Sequence, residues 1–307
     1  MLKYFLFRIA SKLVPALPAW LAYGLAWIGA EVAYHVAHGP RKAVASNLRH
    51  VLGPHADSRK LAWAVRGVFH TAAYNYVDMF LIPHISLTRL SERVTVTNPE
   101  IFLDSYAQKK GIVLTTAHLG NADLLVQRSV AWGIPVTVLV ERLSPEPLFE
   151  LVRGLRGSHG VRLIPVGPTA LREALRVLRS GGVLGIAADR NFQERGMTVP
   201  FFGEEAQLPT GAIELALHTG AVVLPVFGLR LPGQRYQISV EQPLELDRTG
   251  PDSEVVSRNL LRLVPILERY IREHPEQWIV FEPVWKPASL EDGHRKFDRA
   301  EALGARR

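Results

Sequence analysis

Residues 111–127 read GIVLTTAHLGNADLLVQ, from Gly111 to Gln127, and this stretch decides the fold class. Gly111–Ala117 is an uninterrupted apolar and β-branched run, too short for a helix and without alternation. That is the pattern of a strand buried on both faces, as in parallel sheets covered by helices. The turn His118-Leu119-Gly120-Asn121 stops the strand, and a helix is expected from Asn121, with Asp123 in its first turn. Ligands of open α/β sheets bind at the carboxyl ends of strands, so His118, Gly120 and Asn121 stand where chemistry is expected. Four residues separate His118 from Asp123. Across such a turn the carboxylate can accept a hydrogen bond from one imidazole nitrogen, fix the tautomer and leave the other nitrogen as a general base. The same spacing also suits a capping or surface interaction.

Outward from this stretch the texture repeats. Strands are expected at 134–140, 161–165, 183–187 and 221–229, with helices near 146–158, 169–178 and 209–218 between them. Tyr236–Val240 reads as an added antiparallel strand and 253–273 as a long amphipathic helix. Such alternation predicts an α/β protein with a mixed, largely parallel central sheet flanked by helices. Residues 41–90 read as helical.

The first forty residues differ. Lys3, Arg8 and Lys12 sit among Leu2, Phe5, Leu6, Phe7 and Ile9, and Leu13–Ala30 then runs eighteen residues without a charge. That length is at the threshold of the roughly 20 residues a spanning helix needs. Pro15 and Pro18 interrupt it, and the mix of basic and aromatic residues fits an interfacial or re-entrant anchor better than a crossing, the alternative being a helix buried in the protein's own core. The expected division is therefore a membrane-anchoring region at 1–40, an α/β domain at 41–290 and a loose tail at 291–307.

A second charged cluster, GIAADRNFQERG from Gly185 to Gly196, also ends an apolar run. Asp189 or Glu194 could orient His118 or an arginine, while Arg190 and Arg195 could hold a phosphate. A third basic group is Arg142, Arg153, Arg156 and Arg162, with Arg153 and Arg156 one helical turn apart; they suit an anionic headgroup or a nucleotide 3′-phosphate, though such a pair is more commonly a solvated helix face.

Composition excludes several classes. The 307 residues are 48% hydrophobic and 21% charged, with 36 basic residues against 29 acidic ones and a net charge of +7. Most of the basic residues are Arg, the bidentate partner of phosphate and carboxylate. With no cysteine there is no disulfide framework, thiolate metal site or cysteine nucleophile. No G-x-S-x-G, Walker A, G-x-G-x-x-G or H-E-x-x-H sequence occurs, and no nucleic-acid module pattern is visible.

Taken together the motifs resemble the lysophospholipid acyltransferase superfamily. His118-x-x-x-x-Asp123 is similar to its H-x4-D/E signature. The branch resembled is the bacterial lipid A biosynthesis acyltransferases and the mycobacterial phosphatidylinositol mannoside acyltransferases. The resemblance runs through Asn47-Leu48-Arg49, HLGNAD, GIAADR, PFFG and LPTGAIELALHTGAVVLPVF to His274-Pro275-Glu276-Gln277-Trp278 and Pro283-Val284-Trp285. It implies transfer of a fatty acyl group from a thioester, acyl-CoA or acyl carrier protein, to a hydroxyl of a glycolipid or lysophospholipid. His118 would be the general base and Asp123 its orienting partner. Arg156, Asp189, Arg190, Glu194, Gly120 and Asn121 would bind substrate. The tetrahedral oxyanion of such a transfer needs donors, and backbone N–H groups near Gly120 or Gly211 are the candidates. The donor would be a substrate, with no cofactor and no metal. The partners would be a membrane lipid and the membrane surface at the inner face of the cytoplasmic membrane, not nucleic acid. The F-P-E-G-T-R block of glycerol-phosphate acyltransferases is absent, which counts against a glycerol-3-phosphate acceptor, and Ala122 stands where the branch often has an aromatic. Two rival readings use the same residues: a thioesterase or lipid esterase with water as acceptor, and a non-catalytic lipid-binding membrane protein.

Overall fold

The computed structural model describes residues 1–191 and 196–285. Four helices come first: α1 (Leu2–Leu13), α2 (Ala19–Val36), α3 (His38–Leu52) and α4 (Ser58–Leu81). After α5 (Leu87–Glu92), β1 (Val94–Thr97) and α6 (Pro99–Ala107) come β2 (Ile112–Thr116), α7 (Ala122–Ala131), β3 (Val136–Val140), α8 (Glu146–Arg156), β4 (Arg162–Pro165), α9 (Ala170–Arg179) and β5 (Val183–Ala187). A hairpin of β6 (Met197–Phe201) and β7 (Glu204–Leu208) precedes α10 (Gly211–Thr219), β8 (Val222–Leu231), β9 (Arg235–Val240) and α11 (Asp252–Glu273).

The strands make a seven-stranded sheet in the order β1-β9-β8-β2-β5-β3-β4. Every pairing in it is parallel except β8 with β9, so the expected mixed, largely parallel sheet flanked by helices is what forms. All five residues of β2 are buried, as its unbroken apolar run requires. β9 is antiparallel to β8 as expected and also pairs in parallel with β1, a strand the sequence does not signal. The β6–β7 hairpin lies outside this sheet and was not expected either.

Each face of the sheet has its own core. Val113, Leu184 and Val223 pack with residues of α3, α4, α9, α10 and α11. Ile112, Leu114, Val136 and Val183 pack with Phe102, Leu124, Leu125 and Phe149 on the opposite face. Alternation along each buried strand sends neighbours to opposite cores, the two-residue period of an extended chain.

The N-terminal apolar stretch is not one helix. Pro15 lies in a 3-10 turn at Val14–Ala16, Leu17 is extended ahead of Pro18, and α2 starts only at Ala19. Among the described residues no helix is long and apolar enough to cross a membrane. Instead α1 lies against α8, with Tyr4, Phe7 and Ala10 meeting Met79, Phe80, Leu148 and Val152. The remaining faces of α1 and α2 leave Leu2, Phe5, Leu6, Ile9, Trp20, Trp27 and Ile28 exposed.

Candidate active site

The site forms where β2 and β5, hydrogen-bonded neighbours, end beside one another. The β2 side continues into His118 and the β5 side into Asp189, so two residues far apart in sequence meet across one strand spacing. Asp189 is fully buried. One carboxylate oxygen lies 2.8 Å from His118 Nδ1. The other accepts the backbone N–H of His118 at 3.0 Å and the indole N–H of Trp278 at 2.7 Å. Burial by itself would raise the Asp189 pKa, but the charge and ring hydrogen bond of His118, with the bonds from Trp278 and the His118 backbone, outweigh it and hold the carboxyl below the ordinary range. A carboxylate facing Nδ1 keeps the imidazole proton on that nitrogen and leaves Nε2 with its lone pair. Nε2 has no hydrogen-bond partner among the described residues, the side chain is 36% exposed, and His118 lines a cavity of about 1260 Å³.

The turn that presents His118 is held from beneath. Gly120 has φ +59°, and a Cβ there would stand 2.0 Å from the Gly228 carbonyl oxygen, so no side chain fits. Its N–H donates to the Gln277 carbonyl at 3.0 Å and its carbonyl accepts from Asn75 Nδ2 at 2.6 Å. The Gly120 N–H is therefore committed to the fold, and the expectation that it donates to an oxyanion does not hold. Asn121 is likewise structural: its Oδ1 caps α7 by accepting from the Leu124 N–H at 3.2 Å, while its Nδ2 donates to Asp78 at 2.6 Å. It is buried and is not among the cavity-lining residues, contrary to its expected contact with substrate.

Asp123 does not orient His118. Asn121 starts α7 so that Asp123 points toward α8, where its Oδ1 accepts from Arg156 Nε at 2.5 Å. An acid in the first turn of α7 and a base in the last turn of α8 each complement their own helix dipole, which favours this pairing over the imidazole. The Arg156 carbonyl is fixed in turn by Gln127 Nε2 at 2.9 Å. Asp123 and Arg156 both line the cavity, as do Arg153 and Arg190. Arg190 bonds Glu141 and Glu282, each at 3.0 Å. Asp189 supports the imidazole rather than facing the cavity. Glu194 and Arg195 lie outside the described residues, as does the expected tail at 291–307.

A second buried carboxylate, which sequence reasoning missed, lies behind the same turn. Asp78 pairs with Arg230, accepts from Tyr236 Oη at 2.8 Å, and also takes hydrogen bonds from Tyr23 and Asn121. Burial, reinforced by the negative charge of Asp78, pushes the Tyr23 and Tyr236 hydroxyls up, so both remain donors. Arg230 also reaches Asn75 Oδ1 at 3.0 Å, which links the cluster back to the Gly120 carbonyl. Trp278 is the other missed residue; the motif His274-Pro275-Glu276-Gln277-Trp278 signalled a family likeness but not an indole bonded to Asp189.

Among the described residues no group of three or more His, Cys, Asp or Glu side chains is placed to hold a metal ion. The family model described as bacterial lipid A biosynthesis acyltransferase matches residues 1–287. A phosphatidylinositol mannoside acyltransferase of Mycolicibacterium smegmatis is 28% identical over 288 residues, covering 92% of this chain and 91% of the relative. Its counterpart from Mycobacterium tuberculosis is 30% identical over 293 residues, covering 92% and 88%. Among solved structures, the 1-acyl-sn-glycerophosphate acyltransferase PlsC of Thermotoga maritima aligns with TM-score 0.37 and 16% identity, covering 82% of this chain and 96% of that one.

Proposed function

The chain belongs to the bacterial lipid A biosynthesis acyltransferases, and from that premise we propose that it moves a fatty acyl group from acyl-CoA or acyl carrier protein to a hydroxyl of a membrane glycolipid or lysophospholipid. Membership makes it an acyltransferase; the donor, the acceptor and the residues that act are our reading.

The observation that carries this reading is the imidazole of His118, held at Nδ1 by Asp189 and open to the cavity at Nε2. Nε2 takes the proton of the acceptor hydroxyl as its oxygen attacks the thioester carbonyl. The carbon–sulfur bond then breaks, and the departing thiolate takes that proton back from the imidazolium. A positioned base of this kind contributes about 10²–10⁴-fold. Asp189 stabilises the transient imidazolium without itself being protonated, as its lowered pKa requires. No acyl-enzyme is needed, in keeping with the absence of cysteine and of a nucleophile elbow. The first turn of α10 has no side-chain cap, and its Thr210, Gly211 and Ala212 line the cavity, so its free N–H groups are the donors we assign to the oxyanion.

The exposed apolar residues of α1 and α2, with Lys3, Arg8 and Lys12, support seating on a membrane surface, which in our reading is the inner face of the cytoplasmic membrane. The reading is tested by incubating the purified chain with isotope-labelled acyl-CoA or acyl carrier protein and a total lipid extract, followed by mass spectrometry. A labelled lipid ester formed by the wild type and not by His118→Ala supports it. Free fatty acid without lipid ester identifies a thioesterase, and vesicle binding without either product identifies a lipid-binding protein.

A further inference from the structure

After α11 the chain returns to the site as an irregular segment, 275–285, whose only helical part is a 3-10 turn at Pro275–Gln277. Its backbone lies antiparallel to the turn that presents His118, with Leu119 bridged to Trp278. The Ile279 N–H donates to the His118 carbonyl at 2.7 Å, and the Gln277 carbonyl accepts the Gly120 N–H at 3.0 Å. Between those two bonds the Trp278 side chain crosses to the other half of the pair, and its indole N–H donates to Asp189 at 2.7 Å. Three consecutive residues thus hold both members of the His118–Asp189 pair.

An irregular segment has no ladder of its own, so its buried N–H and C=O groups need partners from elsewhere. Asn47 of α3 supplies them at one end. It is buried, its Nδ2 donates to the carbonyls of Val280 and Glu282 at 3.3 and 2.8 Å, and its Oδ1 accepts the Val284 N–H at 3.0 Å. At the other end the Gln277 amide grips the backbone of Arg230 in β8, donating to its carbonyl at 3.0 Å and accepting its N–H at 2.8 Å.

Two tryptophans of this segment separate packing from hydrogen bonding. The Trp278 ring packs against Phe201 and Trp285, with centroids 6.2 and 6.3 Å away. Trp285 stacks on Phe201 and on His50, yet its own indole N–H is buried with no hydrogen-bond partner among the described residues. Both rings fill space, and of the two only the Trp278 N–H is directed at an ionisable group of the site. The terminal torsion of a carboxylate is soft, so either oxygen could turn toward Nδ1. The indole and the His118 N–H both bond Oδ2 of Asp189, which leaves Oδ1 to the imidazole.

We propose that Trp278 is a positioning residue for acyl transfer, fixing Asp189 against His118, and that 277–284 is a strap whose place is set by Asn47 and Gln277. The inference rests on the acyl-transfer reading above. Trp278 is not among the cavity-lining residues, so its effect passes through Asp189 to the angle and tautomer of the imidazole. It bears on kcat rather than on substrate affinity.

The test uses the full chain in detergent micelles with labelled palmitoyl-CoA and phosphatidylinositol mannoside. Trp278→Phe keeps a ring and removes the N–H, while 3-benzothienylalanine incorporated at position 278 keeps the whole bicycle and replaces only the N–H with sulfur. Both should lower kcat by about 10–10²-fold and leave the two KM values near wild type. Trp285→Phe should leave kcat close to wild type. Asn47→Ala should lower kcat as well, and combined with Trp278→Phe it should lose less than the product of the two single effects, because both act through one contact. A second readout needs no turnover. The imidazole N–H held by Asp189 gives a far-downfield proton NMR signal, assigned by its absence from His118→Ala. That signal should shift or broaden in both position-278 variants and stay in place in Trp285→Phe. Wild-type kcat with an unmoved signal in the benzothienyl variant overturns the proposal, and so does an equal loss in Trp285→Phe, which would reduce the segment to aromatic packing. A wild-type chain that forms no lipid ester removes the transfer reading, and the NMR signal then still decides whether the indole positions the pair.

Discussion

Asp78 and Asp189 are both buried carboxylates, and they hold the turn at His118–Asn121 from two sides. Asp78 is surrounded: Arg230 supplies a buried cation, and Tyr23, Tyr236 and Asn121 fill its remaining acceptor positions. Asp189 is given two neutral donors, the Trp278 indole and a backbone N–H, and beside them only the ring of His118, with no arginine or lysine partner among the described residues. The Asp78 cluster therefore closes on itself, whereas in the proposed reaction the Asp189 cluster is completed by a proton arriving at His118. The difference between the two carboxylates is that the partner of Asp189 opens on the cavity and the partners of Asp78 do not, which is why the proposed function assigns a reaction to the first and a scaffold to the second.

Four measurements bear on that contrast, taken from the largest expected effect. His118→Ala should lower acyl transfer by about 10²–10⁴-fold with an unchanged circular dichroism spectrum and melting transition. Near-wild-type turnover would remove the base from the account. Asp78→Ala strands Arg230 in the interior and should cost about 3–5 kcal/mol of stability in a denaturant titration. A loss below about 1 kcal/mol, with activity gone, would mean that Asp78 is reactive rather than structural.

The third concerns pH. The carboxyl of Asp189 sits below its ordinary value in the folded chain, so its contribution is present above the unfolded-state pKa of about 3.9 and is lost as pH falls through the lower folded value. The stability advantage of the wild type over Asp189→Asn should therefore be full near neutrality and shrink in acid. An advantage that grows on acidification contradicts the assigned sign. The smallest effect is expected at the partly exposed pair of Asp123 and Arg156: Arg156→Ala should change KM by a few-fold and leave kcat close to wild type, because uniform binding is what it would remove.

Much of this architecture is legible in the chain. The runs at Gly111–Ala117 and Val183–Ala187 are short, rich in apolar and β-branched residues and free of charge, so they announce buried strands, and the charged or titratable residues after each announce a site at their ends. The hairpin at 197–208 is not legible, because its half-exposed strands hold only five residues each, among them Pro200 and two acids, Glu204 and Glu205. Nor is the partner of His118. Spacing favoured Asp123, five positions away across the turn, whereas the hydrogen bond comes from a residue 71 positions along that only the pairing of β2 with β5 brings near. Trp278 and Arg230 act over still longer separations, 89 and 152 residues, and a local pattern carries no trace of such contacts.

The central claim is that Asp189, and not Asp123, orients the base. Single-turnover acyl transfer by Asp189→Asn and Asp123→Asn, measured side by side with labelled acyl-CoA and a phosphatidylinositol mannoside acceptor, tests it directly. The account predicts a loss on the order of 10²-fold or more for Asp189→Asn, whose amide no longer fixes the tautomer, and a change of only a few-fold for Asp123→Asn. The opposite order, with Asp123→Asn inactive and Asp189→Asn near wild type, contradicts it.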